Sequence, residues 1–193
     1  KPKYDDRVHA MVVDVSDYDD CVRMTDQTIL AFGSIDVLIN NAATNGYTRK
    51  PYLEFDREDI RRMVETNLLG TMNCCHAVMP HMLLRNEGVV LNVEGAGSEN
   101  HETSGYAVYG STKSAVTQFT KTLRREYPNN HVHVCLLSPG MMFTRLLMCD
   151  DMTPEMKFVF ETYGEDPSVV SERMVPKILA IDKHDTLREL TWW

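Results

Sequence analysis

The feature of the sequence that most constrains its fold is an alternation of short apolar runs with longer amphipathic stretches. The apolar runs are rich in β-branched and aliphatic residues and cover residues 8–13, 37–39, 89–93 and 132–137. Continuously apolar strands separated by helices are typical of a parallel sheet that is buried on both faces. The sequence therefore predicts a doubly wound α/β fold of β-α-β-α-β-α-β-α order, in a single domain over residues 1–193.

Four helices are predicted between and after these strands, at residues 17–32, 56–84, 106–127 and 167–180. The first is closed by Gly33, a residue that accepts the left-handed conformation at the end of a helix. The second begins with Asp56 as its N-cap and contains Pro80, which is expected to bend or end it. No helix is assigned to the Met- and Leu-rich stretch after residue 140 or to the acidic patch at residues 161–166.

Composition argues against several classes of function. The chain has 28 Asp and Glu against 20 Lys and Arg, a net charge of −8, which disfavours nucleic-acid binding. No apolar run reaches the about 18 residues of a membrane-spanning helix, so any membrane contact would be peripheral. The five cysteines form no C-x-x-C pair, which indicates a reducing compartment, and no cysteine or histidine has the spacing of a metal site.

Small, amide or hydroxyl side chains follow all four predicted strands. They are Asp14-Val15 after the first, Asn40-Asn41-Ala42-Ala43 after the second, Glu94-Gly95-Ala96-Gly97-Ser98 after the third, and Ser138-Pro139-Gly140 with Thr144 after the fourth. Taken singly, each has an ordinary explanation, such as a helix cap at Asp14 or a polar turn at the two asparagines. Because ligands of doubly wound sheets bind outside the carboxyl ends of the strands, the four together predict a ligand site.

A phenol and an ammonium lie four residues apart on the third predicted helix. Tyr109 and Lys113 share one helical face, and Gly110, Ser111 and Ala115 keep its surroundings small. A nearby cation stabilises a phenolate, so Lys113 is expected to lower the pKa of Tyr109 from its ordinary value of about 10. The pair predicts a proton donor that works near neutral pH, although an isolated pair of this spacing is more often a solvated face.

Taken together, these residues resemble the short-chain dehydrogenase/reductase family. The resemblance rests on Asp14-Val15, residues 40–43, Asn67, the pair Tyr109 and Lys113, and Pro139-Gly140 with Thr144, in the order and approximate spacing of the family. It implies a Rossmann-like fold in which Tyr109 donates the proton, Lys113 holds the nicotinamide ribose, and Asn67 supports a water-linked proton relay. The cofactor contacts that it implies are Asp14, Val15, Asn40, Ala42, Lys113, Pro139, Gly140 and Thr144.

Within that family the sequence is similar to the chlorophyll(ide) b reductases, over residues 41–47, 74–75, 95–98, 109–113, 138–141 and 146–148. This implies NADPH-dependent reduction of the 7-formyl group of chlorophyll b, in a chloroplast at the thylakoid membrane, with NADH left open as cofactor. It also implies a homo- or hetero-oligomer, and an apolar wall for a large flat substrate at residues 141–148, which equally suit core or dimer packing. Two other functions stay open: a degenerate, non-catalytic subunit of a larger assembly, and a reductase of another lipophilic ketone or aldehyde.

Two departures from the family pattern affect the predicted site. The position of the usual catalytic serine holds Ala96, so Ser98 is expected to replace it. The glycine-rich turn that holds the cofactor pyrophosphate at a helix N-terminus is absent. Residues 8–13 match the family's third strand, whose neighbour is also absent, so the domain is expected to be N-terminally incomplete or covered there by a partner chain.

Overall fold

The computed structural model describes residues 7–46, 48–99, 102–148 and 152–181. At their centre lies a parallel sheet of three strands in the order β1-β2-β3. The strands are β1 (Val37–Asn40), β2 (Gly88–Val93) and β3 (Val132–Leu137). Three of the four predicted strands and their parallel pairing are therefore confirmed.

Six α-helices pack around the sheet in the described part of the chain. They are α1 (Tyr18–Phe32), α2 (Arg57–Val64), α3 (Gly70–Arg85), α4 (Ala107–Glu126), α5 (Pro154–Tyr163) and α6 (Pro167–Leu179). Local chemistry sets the ends of α1: the Asp17 side chain accepts a hydrogen bond from the backbone N–H of Asp19, and Gly33 leaves the helix with a φ of 83°. None of the helices described is long and apolar enough to cross a bilayer.

Helices cover both faces of the sheet. Successive residues of a strand point to opposite sides, so each strand contributes side chains to the core on both faces. Val89 and Leu91 of β2 belong to one core cluster with Met174 of α6. Val90, between them, belongs to a second cluster with Val78 of α3. Burial on both faces is what continuously apolar strands predict, so the doubly wound α/β class is confirmed.

The second predicted helix is one helical run with a change of winding in its middle. A π-helical turn, Glu65–Leu69, joins the end of α2 to the start of α3. Asp56 occupies the N-cap position, but its side chain makes no capping hydrogen bond. Pro80 lies inside α3, which continues to Arg85, so it does not end the helix. The π turn has no signature in the apolar pattern that predicted this helix.

The first predicted strand is not formed. Residues 8–13 have no strand hydrogen bonding, and the side chains of Val8 and Val12 are 61% and 91% exposed. A strand is stable when its backbone groups pair with a neighbour, and no described strand lies beside this segment. The strand predicted at residues 8–13 is therefore wrong for the described chain, because an apolar pattern does not show whether a neighbouring strand is present.

One helix, α5, lies in a stretch for which the sequence predicts no helix. Thr153 is its N-cap and accepts a hydrogen bond from the backbone N–H of Met156 at 3.3 Å. Pro154 occupies the first helical position, where its missing N–H costs nothing. The sequence Thr-Pro-Glu is typical of a helix start, so α5 could have been predicted despite the Met- and Leu-rich composition of the stretch before it.

Candidate active site

The loops that follow β1, β2 and β3 meet at the carboxyl edge of the sheet and line a cavity of about 270 Å³. Asn41 and Ala43 come from the first loop, residues 93–99 from the second, and residues 138–142 from the third. Tyr109 and Lys113, on the first turns of α4, also line it. The predicted convergence of strand ends is therefore confirmed for the three strands that form.

Tyr109 and Lys113 are held at the cavity by close packing with the loop after β2. Both side chains are buried, 5% and 4% exposed. A Cβ atom on Gly95 would lie only 2.5 Å from the Tyr109 hydroxyl, and one on Gly97 would lie 2.5 Å from the Cα of Gly110. The glycines of this loop therefore let its backbone approach the phenol and the start of α4.

Tyr109 keeps its proton at neutral pH. Burial raises the pKa of Tyr109 above its ordinary value, and the neighbouring Tyr106 raises it further. The net lowering of this pKa that was expected beside Lys113 is wrong for this geometry, because desolvation by burial dominates and the Lys113 Nζ lies 5.9 Å from the ring centroid. A protonated phenol is the form that a proton donor requires.

Lys113 has donors left for a ligand. Its Nζ donates one hydrogen bond, to the backbone carbonyl of Val93 at 2.9 Å, and an ammonium has three protons. Burial lowers the pKa of Lys113 to about 8, while the Glu94 carboxylate opposes that shift. The residues at this point fit the ribose hydroxyls of a nicotinamide cofactor, since a buried, partly satisfied ammonium faces a cavity at the end of the sheet.

Asn67 lies in the π turn and connects the loop after β1 to α4. Its Oδ1 accepts from the backbone N–H of Thr44 at 2.7 Å, and its Nδ2 donates to the Thr44 carbonyl at 2.8 Å and to Thr112 Oγ1 at 3.1 Å. The Thr112 hydroxyl in turn donates to the backbone carbonyl of Tyr109 at 2.7 Å. The side chain, only 1% exposed, thus holds the frame around Tyr109. Its part in a proton relay stays a prediction.

Ser98 lines the cavity and closes the turn that begins at Gly95. Its Oγ accepts from the backbone N–H of Gly95 at 3.0 Å, and its own N–H donates to the Gly95 carbonyl at 3.0 Å. The structure gives no hydrogen bond between Ser98 and Tyr109, and Ala96 lies exposed between the two turn residues. Ser98 therefore shapes the loop beside the phenol, and its catalytic role stays a prediction.

The predicted cofactor contacts in the loop after β1 are distributed differently from the expectation. Asn40 is 8% exposed, and its Nδ2 donates to Asn92 Oδ1 at 2.8 Å and to Cys75 Sγ at 3.3 Å, so this amide connects β1 to β2 and α3. Ala42 is exposed and does not line the cavity, whereas Asn41 and Ala43 do. Cofactor contact at Asn40 and Ala42 stays a prediction.

The other predicted cofactor contacts lie in two places. Pro139, Gly140 and Thr144 line the cavity, and their contact with a cofactor stays a prediction. Asp14 and Val15 do not line it. Asp14 Oδ1 accepts from the backbone N–H of Ser16 at 2.9 Å in a local turn, and the helix cap that was its alternative explanation is Asp17 instead. The Val15 side chain packs against α3, where a Cβ on Gly70 would lie 2.5 Å from it. Cofactor contact at these two residues stays a prediction.

The cavity residues that were not found from the sequence include Arg49, Tyr106 and Phe160. Tyr106 lies three residues before Tyr109. Residues three apart on a helix are neighbours, so this position could have been predicted from the sequence. Arg49 lies in a loop without a sequence signal, whereas Phe160 lies in α5, which was not predicted although its start carries a capping signal. Met141, Met142, Leu146 and Leu147 of the predicted apolar wall do line the cavity.

Comparison with known proteins agrees with this geometry. The family model for short chain dehydrogenases matches residues 2–153. The chain belongs to the short-chain dehydrogenase/reductase family. A crystal structure of gluconate 5-dehydrogenase from Burkholderia cenocepacia, in complex with NADP and tartrate, is similar with a TM-score of 0.64 and 29% identity over 70% of this chain and 52% of that one.

The chain is also similar to a curated protein and to a second solved structure. The chloroplastic chlorophyll(ide) b reductase NOL of Arabidopsis thaliana is 40% identical over 158 residues, 80% of this chain. The chain spans 45% of that relative's length. A short-chain dehydrogenase structure from Streptomyces avermitilis, 24% identical with a TM-score of 0.74 over 95% of this chain and 69% of that one, shares the fold.

Proposed function

We propose that the chain is the catalytic part of an NADPH-dependent reductase that converts the formyl group of chlorophyll(ide) b to a hydroxymethyl group. The observation that carries the proposal is the buried pair of Tyr109 and Lys113 beside a cavity whose far wall is apolar. The 40% identity to a chlorophyll(ide) b reductase supports the choice of substrate. NADPH is proposed as the cofactor because NADP is bound in the similar gluconate 5-dehydrogenase structure.

The chain's own residues supply the acid and hold it in place. When bound, the reduced nicotinamide supplies a hydride to the formyl carbon. Tyr109 donates its proton to the formyl oxygen as negative charge develops there, and its raised pKa keeps that proton available. The Lys113 ammonium binds the ribose hydroxyls with the donors that Val93 leaves free, and it stabilises the phenolate that remains.

The size of the cavity determines how the substrate lies. About 270 Å³ is below the roughly 300–1,000 Å³ of sites that enclose a drug-sized ligand, so the cavity takes part of a macrocycle, with its formyl group, and does not enclose the whole ring. Met141, Met142 and Leu147 offer a soft apolar wall to that part of the ring. The remainder of the ring lies over Phe143 and Met148, which are 39% and 50% exposed beside the same loop.

Location and assembly follow the same proposal. A lipophilic pigment substrate places the protein in a chloroplast, with peripheral contact to the thylakoid membrane. A second groove, of about 580 Å³, lies between α3 and α4 and is lined by Met72, Met79, Leu83 and Leu123, among others. An apolar groove of this kind supports assembly with a second subunit.

The proposal is tested with the full-length protein, NADPH and chlorophyllide b, with the 7-hydroxymethyl product separated by chromatography. Tyr109→Phe is expected to reduce turnover by at least about 100-fold, because the proton donor is lost, and to leave NADPH binding within about threefold of wild type. Phenylalanine keeps the ring and its packing, so the two proteins share a fold. NADPH binding without any product from wild type would contradict the proposal and favour a non-catalytic subunit or a different carbonyl substrate.

A further inference from the structure

One wall of the cavity is a stack of three side chains that ends in a cation. The Arg49 guanidinium lies over the Tyr106 ring, with its Cζ 4.3 Å from the ring centroid. The Tyr106 ring is in turn 5.2 Å from the Tyr109 ring, centroid to centroid. All three side chains line the cavity, so the guanidinium lies in the same site as the proton donor, one ring further along its wall.

Two polar atoms of this stack have no partner. The hydroxyl of Tyr106 and the Nε of Arg49 are both buried and make no hydrogen bond. Tyr106 as a whole is 4% exposed. Within the described ranges no carboxylate forms an ion pair with Arg49, whereas the adjacent Lys50 lies 4.0 Å from Asp59. Buried donors without acceptors are costly, and both of these donors belong to residues that line a ligand cavity.

We propose that Arg49 and Tyr106 form a subsite that binds a carboxylate of the substrate. The inference rests on the proposed function, and it narrows the substrate to one that carries a free acid as well as the reducible carbonyl. A carboxylate accepts from a guanidinium and from a phenol hydroxyl, so one group satisfies both donors after a small rotation of the Arg49 side chain. An ester oxygen has no charge and satisfies them less well.

The other charges at the cavity fit this assignment. Glu94 and Glu99 line the same cavity, but Glu99 is exposed and Glu94 interacts with the Lys113 ammonium. Lys113 has its own place in the site, at the phenol and ribose. Arg49 is therefore the cation at this wall whose charge no described carboxylate neutralises.

The test compares chlorophyllide b, which carries a free propionate, with its methyl ester, which is identical at the formyl group. Wild type is expected to show a kcat/KM at least about tenfold higher for the acid, as a charge-assisted hydrogen bond provides. Arg49→Met is expected to remove that preference, mainly through KM for the acid. Lys50→Met is the matched control, since Lys50 lies next in the chain, does not line the cavity and should leave the preference at its wild-type value.

Tyr106→Phe separates the subsite from a structural effect. The substitution deletes only the unpaired hydroxyl, so the melting temperature is expected to stay the same or rise, while kcat/KM for the acid falls several-fold more than for the ester. An equal loss on acid and ester in Arg49→Met and Tyr106→Phe would overturn the subsite. A wild type that is indifferent to esterification would overturn it as well.

The same substrate pair distinguishes this proposal from the proposed function. If wild type binds NADPH but reduces neither compound, the proposed function fails, and quenching of macrocycle fluorescence still measures the affinity for each. Tighter binding of the acid that Arg49→Met abolishes would support the subsite without turnover. Equal affinities for acid and ester in wild type and variant would overturn it.

Discussion

Gly95→Ala, which adds a single methyl group, is expected to lower kcat strongly. The added carbon would lie 2.5 Å from the Tyr109 hydroxyl and 3.2 Å from Lys113 Cε, whereas ordinary contacts begin at 3.4 Å. The phenol or the loop must therefore move by about 1 Å, and a misplacement of that size costs about 100-fold in rate. That factor corresponds to about 2.7 kcal/mol in the activation free energy.

The cost in stability is smaller than the cost in activity. Gly95 has no left-handed φ, so alanine adds overpacking without backbone strain, and about 1–3 kcal/mol of unfolding free energy is expected to be lost. Gly110→Ala is the matched control. Its Cβ would lie 3.6 Å from the Ala96 carbonyl oxygen, an ordinary contact, and alanine in the α4 helix should add about 0.5–1 kcal/mol of stability.

The assay measures kcat and KM with NADPH and chlorophyllide b, the dissociation constant of NADPH, and unfolding in urea for wild type and both variants. A kcat for Gly95→Ala within threefold of wild type would refute the reasoning, because the crowded hydroxyl would then not be the proton donor. A hundredfold loss in Gly110→Ala would refute it too, since that variant leaves the phenol uncrowded.

Three further outcomes are expected. The pKa of Lys113 falls from 10.5 in the unfolded chain to about 8 in the fold, so unfolding free energy should rise from pH 8 to pH 10. Lys113→Met should remove that dependence on pH. It should also raise the free energy of unfolding at pH 7 by on the order of 3 kcal/mol, as measured by urea unfolding at several pH values. Asn67→Ala leaves the buried backbone N–H and carbonyl of Thr44 unpaired and should cost roughly 3 kcal/mol, with a weaker affinity for NADPH in titration; an unchanged urea midpoint would contradict this. Burial raises the pKa of Cys74 and of Cys75 to about 12, so mass spectrometry should find both unmodified after iodoacetamide at pH 8 and modified once urea is added.

The elements that the sequence predicted well are those whose signal is local. The strand at residues 132–137 and the helix capped by Asp17 and Gly33 have their partners or caps within the described chain, and both lie where the pattern placed them. Residues 8–13 carry the same apolar signal and form no strand, because pairing is a property of two segments. Spacing on α4 likewise brought Tyr109 and Lys113 to one face.

What the sequence could not provide was the environment of each side chain. Asn40 and Asn41 are adjacent amides, yet one is buried in the sheet and the other lines the cavity, since neighbouring residues at a strand end point to opposite sides. The direction in which the pKa of Tyr109 shifts depends on burial, which the spacing of residues on a helix does not show. Arg49 reached the site through a loop whose path no periodicity describes.

The π turn at Glu65–Leu69 sets the phase between two halves of one helical run. Met63 before it packs with Tyr109 in one cluster, and Val78 after it packs on the sheet in another. Each residue added to or removed from a helix rotates everything beyond it by about 100°. The π turn takes up that rotation, because it holds one residue more than an α turn, so deleting one residue here would regularise the winding and leave Met63 and Val78 facing their own clusters. The π turn is therefore the place where one helical run accommodates an extra residue while its two halves pack in separate parts of the core.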